Sequence, residues 1–187
     1  MRTRTIAAAG LVALTLVGVG CGAKSSSTTR TTSSTAAKPA AEASPAGDIP
    51  DNQAYVAYKP AGAGFSVKVP EGWAQSGSGS NTTFTDKLNS ISVRAVPAKG
   101  QMTVAEAKRV AGATVDTVHR SAGTAVRIKY LTSSKPDPVT GKVVKDAVER
   151  YVFFHNGRRL VLTLSGPKGA DNVDPWKLVT DSVRWTR

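Results

Sequence analysis

The chain has 187 residues, room for one domain once its ends are set aside, and a formal net charge of +12. Its single cysteine excludes an internal disulfide, no Cys/His cluster suggests zinc, and two histidines leave few candidates for general-base chemistry. Arg2 and Arg4 belong to a leader, and Lys24, Arg30 and Lys38 outnumber Glu42 and Asp48 in the segment after it, which leaves +9 for residues 51–187. That balance favours anionic partners such as acidic lipids, wall polymers or an acidic envelope protein. Nucleic acid is not expected, because no recognition motif or aromatic–basic interleaving appears.

Met1 to Arg4 is a basic stretch, and Ile6 to Gly20 is uncharged and apolar. This length suits a signal peptide over residues 1–20 and falls short of the ~20 apolar residues of a spanning helix. It ends in Gly18-Val19-Gly20-Cys21-Gly22, which resembles the bacterial lipobox, with Gly18 where that motif usually carries Leu. The resemblance implies that the Cys21 thiol takes a diacylglyceryl group, with palmitate among its acyl chains, before cleavage on its amino side. The product would be a lipoprotein held on the extracytoplasmic face of the cell membrane. The alternative is ordinary cleavage after Ala23, since Cys21-Gly22-Ala23 has the small-x-small form. Residues 21–50 then form a tether rich in Ser, Thr, Ala and Pro that lacks the apolar surface to offset chain ordering. Ile49 is its single larger apolar residue and offers an alternative start for the domain, assigned to 51–187.

In the domain, Phe65, Val67 and Val69 alternate with polar residues in a half-buried strand, closed by Pro70-Glu71-Gly72 and followed by Trp73. Thr82–Thr85 and Ile91–Val96 read as two more strands. Thr103-Val104-Ala105-Glu106 reads as a capping box opening a helix to about Val118, with His119 just beyond it. Ala125–Leu131 and Val144–His155 alternate as strands. Asn156-Gly157 predicts a two-residue type I′ hairpin that pairs Phe153 with Leu160 and Tyr151 with Leu162 on one face, and Val152 with Val161 on the other. Asp174 as N-cap and Pro175 at the first helical position predict a last helix to about Ser182. Strand runs with one helix between and one after give an α+β class, a central antiparallel sheet flanked by helices.

Phe65-Ser66-Val67-Lys68-Val69-Pro70-Glu71-Gly72-Trp73, with Phe84-Thr85-Asp86 and the Val93 strand downstream, resembles the opening of PsbP-like domains. These include actinobacterial lipoproteins of the LpqN kind. The resemblance covers roughly residues 55–187 and implies an α/β/α sandwich acting as a binding or assembly partner. It brings no catalytic set, and fold analogy supplies no function by itself.

Candidate sites are few. His119 and His155 read as surface or cap residues, because no Ser, Cys or carboxylate partner is placed by a motif. Asp171, Asn172 and Asp174 offer oxygens to a cation but lack the length and terminal Glu of a calcium loop. Trp73, Trp176 and Trp185 read as core more readily than as a ligand platform. Arg127 and Lys129 share one strand face, and Lys142, Lys145, Arg158 and Arg159 fall near strand ends, either as solvated charge or as a patch for an anion. The expectation is a non-enzymatic binding or scaffold lipoprotein without cofactor or metal, its one assigned site being Cys21. The alternatives are a carrier of a small apolar ligand or lipid and, third, an envelope hydrolase.

Overall fold

The computed structural model describes residues 46–137 and 139–186. The leader, Cys21 and the tether up to residue 45 lie outside the described residues. The strands are β1 (Tyr55–Tyr58), β2 (Phe65–Pro70), β3 (Ala74–Ser78), β4 (Asn81–Asp86), β5 (Asn89–Pro97), β6 (Thr114–Arg120), β7 (Gly123–Ser133), β8 (Lys145–His155), β9 (Arg158–Pro167) and β10 (Arg184–Trp185). The helices are α1 (Val104–Ala107), between β5 and β6, and α2 (Val173–Asp181), between β9 and β10. Seven strands form an antiparallel sheet in the order β3-β4-β5-β9-β8-β7-β6, and β1-β2-β10 form a second, small one.

The alternation read from the sequence decides which face is sealed. Leu160, Leu162 and Leu164 of β9 and Tyr151 and Phe153 of β8 are at most 2% exposed. They share a core with Ile91 and Val93 of β5, Phe65, Val67 and Val69 of β2, and Trp176 and Val179 of α2. The Asn156-Gly157 turn has positive φ at both residues, 43° and 73°, and pairs β8 with β9 in the expected register. Trp73 and Trp185 pack half-buried at the margin of this core.

On the opposite face a smaller cluster of Ala107, Val126 and Ile128 packs with Met102, Val110 and Ala113. The expected sandwich between helices is therefore replaced. One face is covered by the small sheet and α2, and the other is covered only in part, by the single turn of α1 and its flanking loops.

Three local expectations change. The first helix ends at Ala107, and Thr114–Arg120 is the strand β6, so His119 lies on an edge strand and bonds Thr124 Oγ1 through Nδ1 (3.1 Å). Thr114-Val115-Asp116-Thr117-Val118 is β-branched at alternate and adjacent positions, and its partner β7 rewards that pattern more than a helix would. Glu106 keeps half of the capping box, its N–H donating to Thr103 Oγ1 (3.0 Å), while its carboxylate is gripped by Arg159. Asn172, not Asp174, is the N-cap of α2, and Pro175 sits in the first turn rather than at its first position.

Asn172 is diverted by a clasp at the domain's entry. Its Oδ1 accepts from Ile49 N (2.8 Å), and its Nδ2 donates to Gly47 O (3.1 Å) and to Asn89 Oδ1 (3.0 Å). Asn89 Nδ2 also donates to Gly47 O (2.8 Å). Ile49 is 4% exposed within the core, so packing begins upstream of Asp51 and the last residues assigned to the tether belong to the fold. One buried isoleucine and two paired backbone groups, Ile49 N–H and Gly47 C=O, outweigh the polar composition around them.

Candidate functional site

The partly covered sheet face carries an open groove. A groove of about 490 Å³ is lined by Ser92, Arg94 and Val96 of β5, Val161 and Thr163 of β9, Arg150 and Val152 of β8, and Met102. The volume lies within the range of small-molecule sites. Register assembles it: Arg94 opposes Val161, which opposes Val152, while Ser92 opposes Thr163, which opposes Arg150. The two arginines therefore stand on strands either side of β9, offset by two residues, with Cα atoms ~12 Å apart from strand spacing and rise. On this face Arg94 is exposed and Arg150 half-buried, with Val161 and Thr163 of β9 between them.

Arg150 is half-buried and held in place. Its Nε donates to Thr163 Oγ1 (3.3 Å), one terminal nitrogen donates to Tyr130 OH (3.0 Å), and the guanidinium lies 5.6 Å from the centre of the Tyr130 ring. Among the described residues neither Arg150 nor Arg94 forms an ion pair. A half-buried guanidinium offered only neutral oxygens retains capacity for a carboxylate or phosphate.

The other arginines differ. Arg127 pairs with Asp116 through two nitrogens, at 2.9 and 2.5 Å, and its neighbour Lys129 stands beside them. That pairing holds Asp116 below the usual carboxylate range and Arg127 further above its own. Arg120 reaches Thr180 Oγ1, Asp181 and the Tyr151 hydroxyl, which donates to Glu149 Oε2 (2.5 Å). Burial first, then Glu149, pushes the Tyr151 hydroxyl up. These groups satisfy one another and brace β6, β7, β8 and α2.

The cationic residues grouped by sequence separate. Arg158 donates to Gly62 O and Ala63 O (both 3.2 Å), and Arg159 grips Glu106 (2.7 and 3.1 Å) and Gly100 O (2.8 Å). They stand at the β8–β9 turn, while Lys142 and Lys145 stand at the far end of β8, about 33 Å away for an eleven-residue strand. His155 is stacked on Trp185, with ring centres 4.8 Å apart. Asn172 is committed to the entry clasp, and Asp171 donates its N–H to Asp48 Oδ1 (2.9 Å). Among the described residues no three His, Cys, Asp or Glu side chains group as a metal site, and no helix is long and apolar enough to cross a membrane.

Sequence reasoning missed Arg94 and Arg150. Each reads locally as the outward residue of an alternating strand, and only the β5-β9-β8 order reveals that they flank one groove.

No family model matches the sequence, and no curated protein matches it. Solved structures similar in shape include the following two. One, a protein from Bacteroides thetaiotaomicron, has a TM-score of 0.48 and 13% identity over 69% of this chain and 47% of that one. The chain thus spans about half the length of that protein. The other is the solution structure of cyanobacterial PsbP (CyanoP) from Synechocystis, with a TM-score of 0.47 and 15% identity over 75% of this chain and 99% of that one. At scores this low neither likeness carries a site, a ligand or an activity to this chain.

Proposed function

We propose that this protein is a lipid-anchored module at the outer face of the cell membrane that binds an anionic, partly apolar ligand in the Arg94–Arg150 groove. The observation that carries the binding reading is Arg150, a half-buried guanidinium held by Thr163 and Tyr130, with Arg94 across a floor of Val96, Val152 and Val161. The anchor rests on the lipobox-like Gly20-Cys21 and the tether after it. The PsbP-like resemblance of residues 65–73, with its actinobacterial lipoprotein branch, agrees with a binding or assembly role. The groove is lined by hydroxyls, guanidinium groups and aliphatic carbons, which recognise a ligand without offering a nucleophile–base pair.

Calorimetry with octyl phosphate, inorganic phosphate and octyl glucoside tests the binding reading. Octyl phosphate is expected to bind best, since only it presents both an anion and an apolar chain. Arg150→Gln and Arg94→Gln should each weaken it by ~10- to 100-fold, the worth of a charge-assisted hydrogen bond, and Lys99→Gln should leave it unchanged. Equal affinity in all three variants would refute the site. For the anchor, the intact mass of membrane-extracted protein should correspond to an acylated chain beginning at Cys21; an unmodified chain beginning at Lys24 would refute it.

A further inference from the structure

The end of the domain at which the chain enters differs from the rest of the surface. Gly47 packs against Pro167, and Pro167 pairs with Asp146 at the start of β8. The loop joining β7 to β8 leaves from this same end. Ser134 N donates to Val144 O (2.9 Å), which carries the hairpin register outward and brings Leu131 and Val143 onto one face with Lys135 and Lys145 beside them. At the tip, Asp137 Oδ1 accepts from Val139 N (3.0 Å), Thr140 N (2.7 Å) and Thr140 Oγ1 (2.9 Å). These bonds hold the Asp137 carboxyl below its usual range and fix the turn with Val139 outward. Leu131 is 56% exposed, Val143 53% and Val139 91%. Lys168 lies next to Lys145, to whose carbonyl its N–H donates (2.8 Å). Lys135, Lys142, Lys145 and Lys168 are all exposed.

We infer that this hairpin end is a membrane-docking surface that seats Val139, Val143 and Leu131 at the headgroup boundary of a bilayer rich in anionic lipid. Exposed apolar side chains ringed by lysine are the chemistry of an interfacial segment, in which apolar contact and attraction to acidic headgroups act together. Asp137 is the one carboxylate at the tip; its Oδ1 is turned into the loop, and its single charge is outnumbered by Lys135, Lys142, Lys145 and Lys168. Position argues for the same occupant. A chain anchored through Cys21 would enter the domain at the end that carries this hairpin, beside Pro167, and a flexible tether would leave the hairpin free to reach the bilayer. That placement rests on the lipid-anchor reading; the apolar and cationic character of the surface does not.

The test uses the full chain with Cys21→Ser and one new cysteine carrying an environment-sensitive fluorophore, placed either at the tip (Val139→Cys) or at the opposite end of the sheet (Lys99→Cys). On vesicles of equal parts phosphatidylglycerol and phosphatidylcholine, the tip label should shift to the blue and the Lys99→Cys label should not. On phosphatidylcholine alone neither should shift. Adding Lys135→Gln, Lys142→Gln, Lys145→Gln and Lys168→Gln should weaken the tip response at least ~10-fold, each lysine adding attraction within a Debye length of the surface. No shift at the tip, equal shifts at both positions, or a response indifferent to the lysines would overturn the inference. The mass measurement on Cys21 decides the anchor separately, so failure of one reading is distinguishable from failure of the other.

Discussion

The two ends of β8 treat positive charge in opposite ways. At its carboxyl end, a two-residue turn brings Arg158 and Arg159 back onto the domain, where they bond the carbonyls of Gly62, Ala63 and Gly100 and the carboxylate of Glu106. At its amino end, the eleven residues between β7 and β8 carry Lys135 and Lys142 outward, with Lys145 and Lys168 nearby and no carboxylate paired to them among the described residues. Guanidinium groups, with five donors in a planar fork, serve as internal ties, whereas ammonium groups on flexible stems stay hydrated. The net charge of +9 on residues 51–187 therefore overstates what is available to a partner at the arginine end, while the lysines at the other end stand without a paired carboxylate among the described residues.

Breaking the tight end should have the largest effect. Gly157→Val places a β-branched residue at φ 73° in the turn that sets the β8–β9 register. A loss of about 1–3 kcal/mol in chemical denaturation is expected. An unchanged midpoint would show that the hairpin tolerates another turn.

Arg159→Gln should come next, and its signature is pH. The hydrogen bonds of Arg159 lower the pKa of Glu106, so the stability this pair contributes is present above the unfolded pKa of a glutamate. It is lost as pH falls through the lower folded value. Thermal melts across the acid range should therefore show a flatter acid limb in the variant, and a limb of wild-type slope would remove the tie from the account.

Asp146, at the lysine end, carries the opposite sign. It is buried, its Oδ1 has no protein partner among the described residues, and burial outweighs the Ser165 bond to raise its pKa. Its contribution is full below the unfolded aspartate pKa and lost as pH rises through the raised folded value. Asp146→Asn, which cannot ionise, should gain stability relative to wild type on going from acid to neutral pH. A pH-independent difference would count against this. The smallest effect is reserved for Lys135→Gln with Lys142→Gln, which should move stability by no more than about 0.5 kcal/mol in melts of the soluble chain. A larger loss would mean that these lysines are ties after all, and the contrast between the two ends would fail.

Much of the sheet was legible because alternation is a local signal. Phe65 to Val69, Ile91 to Val96 and the β8–β9 hairpin follow from side-chain period and from one Asn-Gly pair. The stretch from Thr114 to Val118 misled, since a capping signal upstream extended a helix that Ala107 already ends, and its β-branched content shows its value only once β7 lies beside it. Ile49 and Asn172 sit 123 positions apart, so no window along the chain could reveal their hydrogen bond.

By itself the sequence determined the alternation of the strands and the turn that fixes one register. These depend on residues a few positions apart. Tertiary structure alone decided which arginines are tied, that Arg94 and Arg150 flank one groove, and that the exposed β7–β8 hairpin stands at the end where the chain enters. The reason is physical: a side chain's local pattern states which way it points, but its electrostatic freedom depends on neighbours brought from distant strands, and strand order is settled by the packing of the whole sheet.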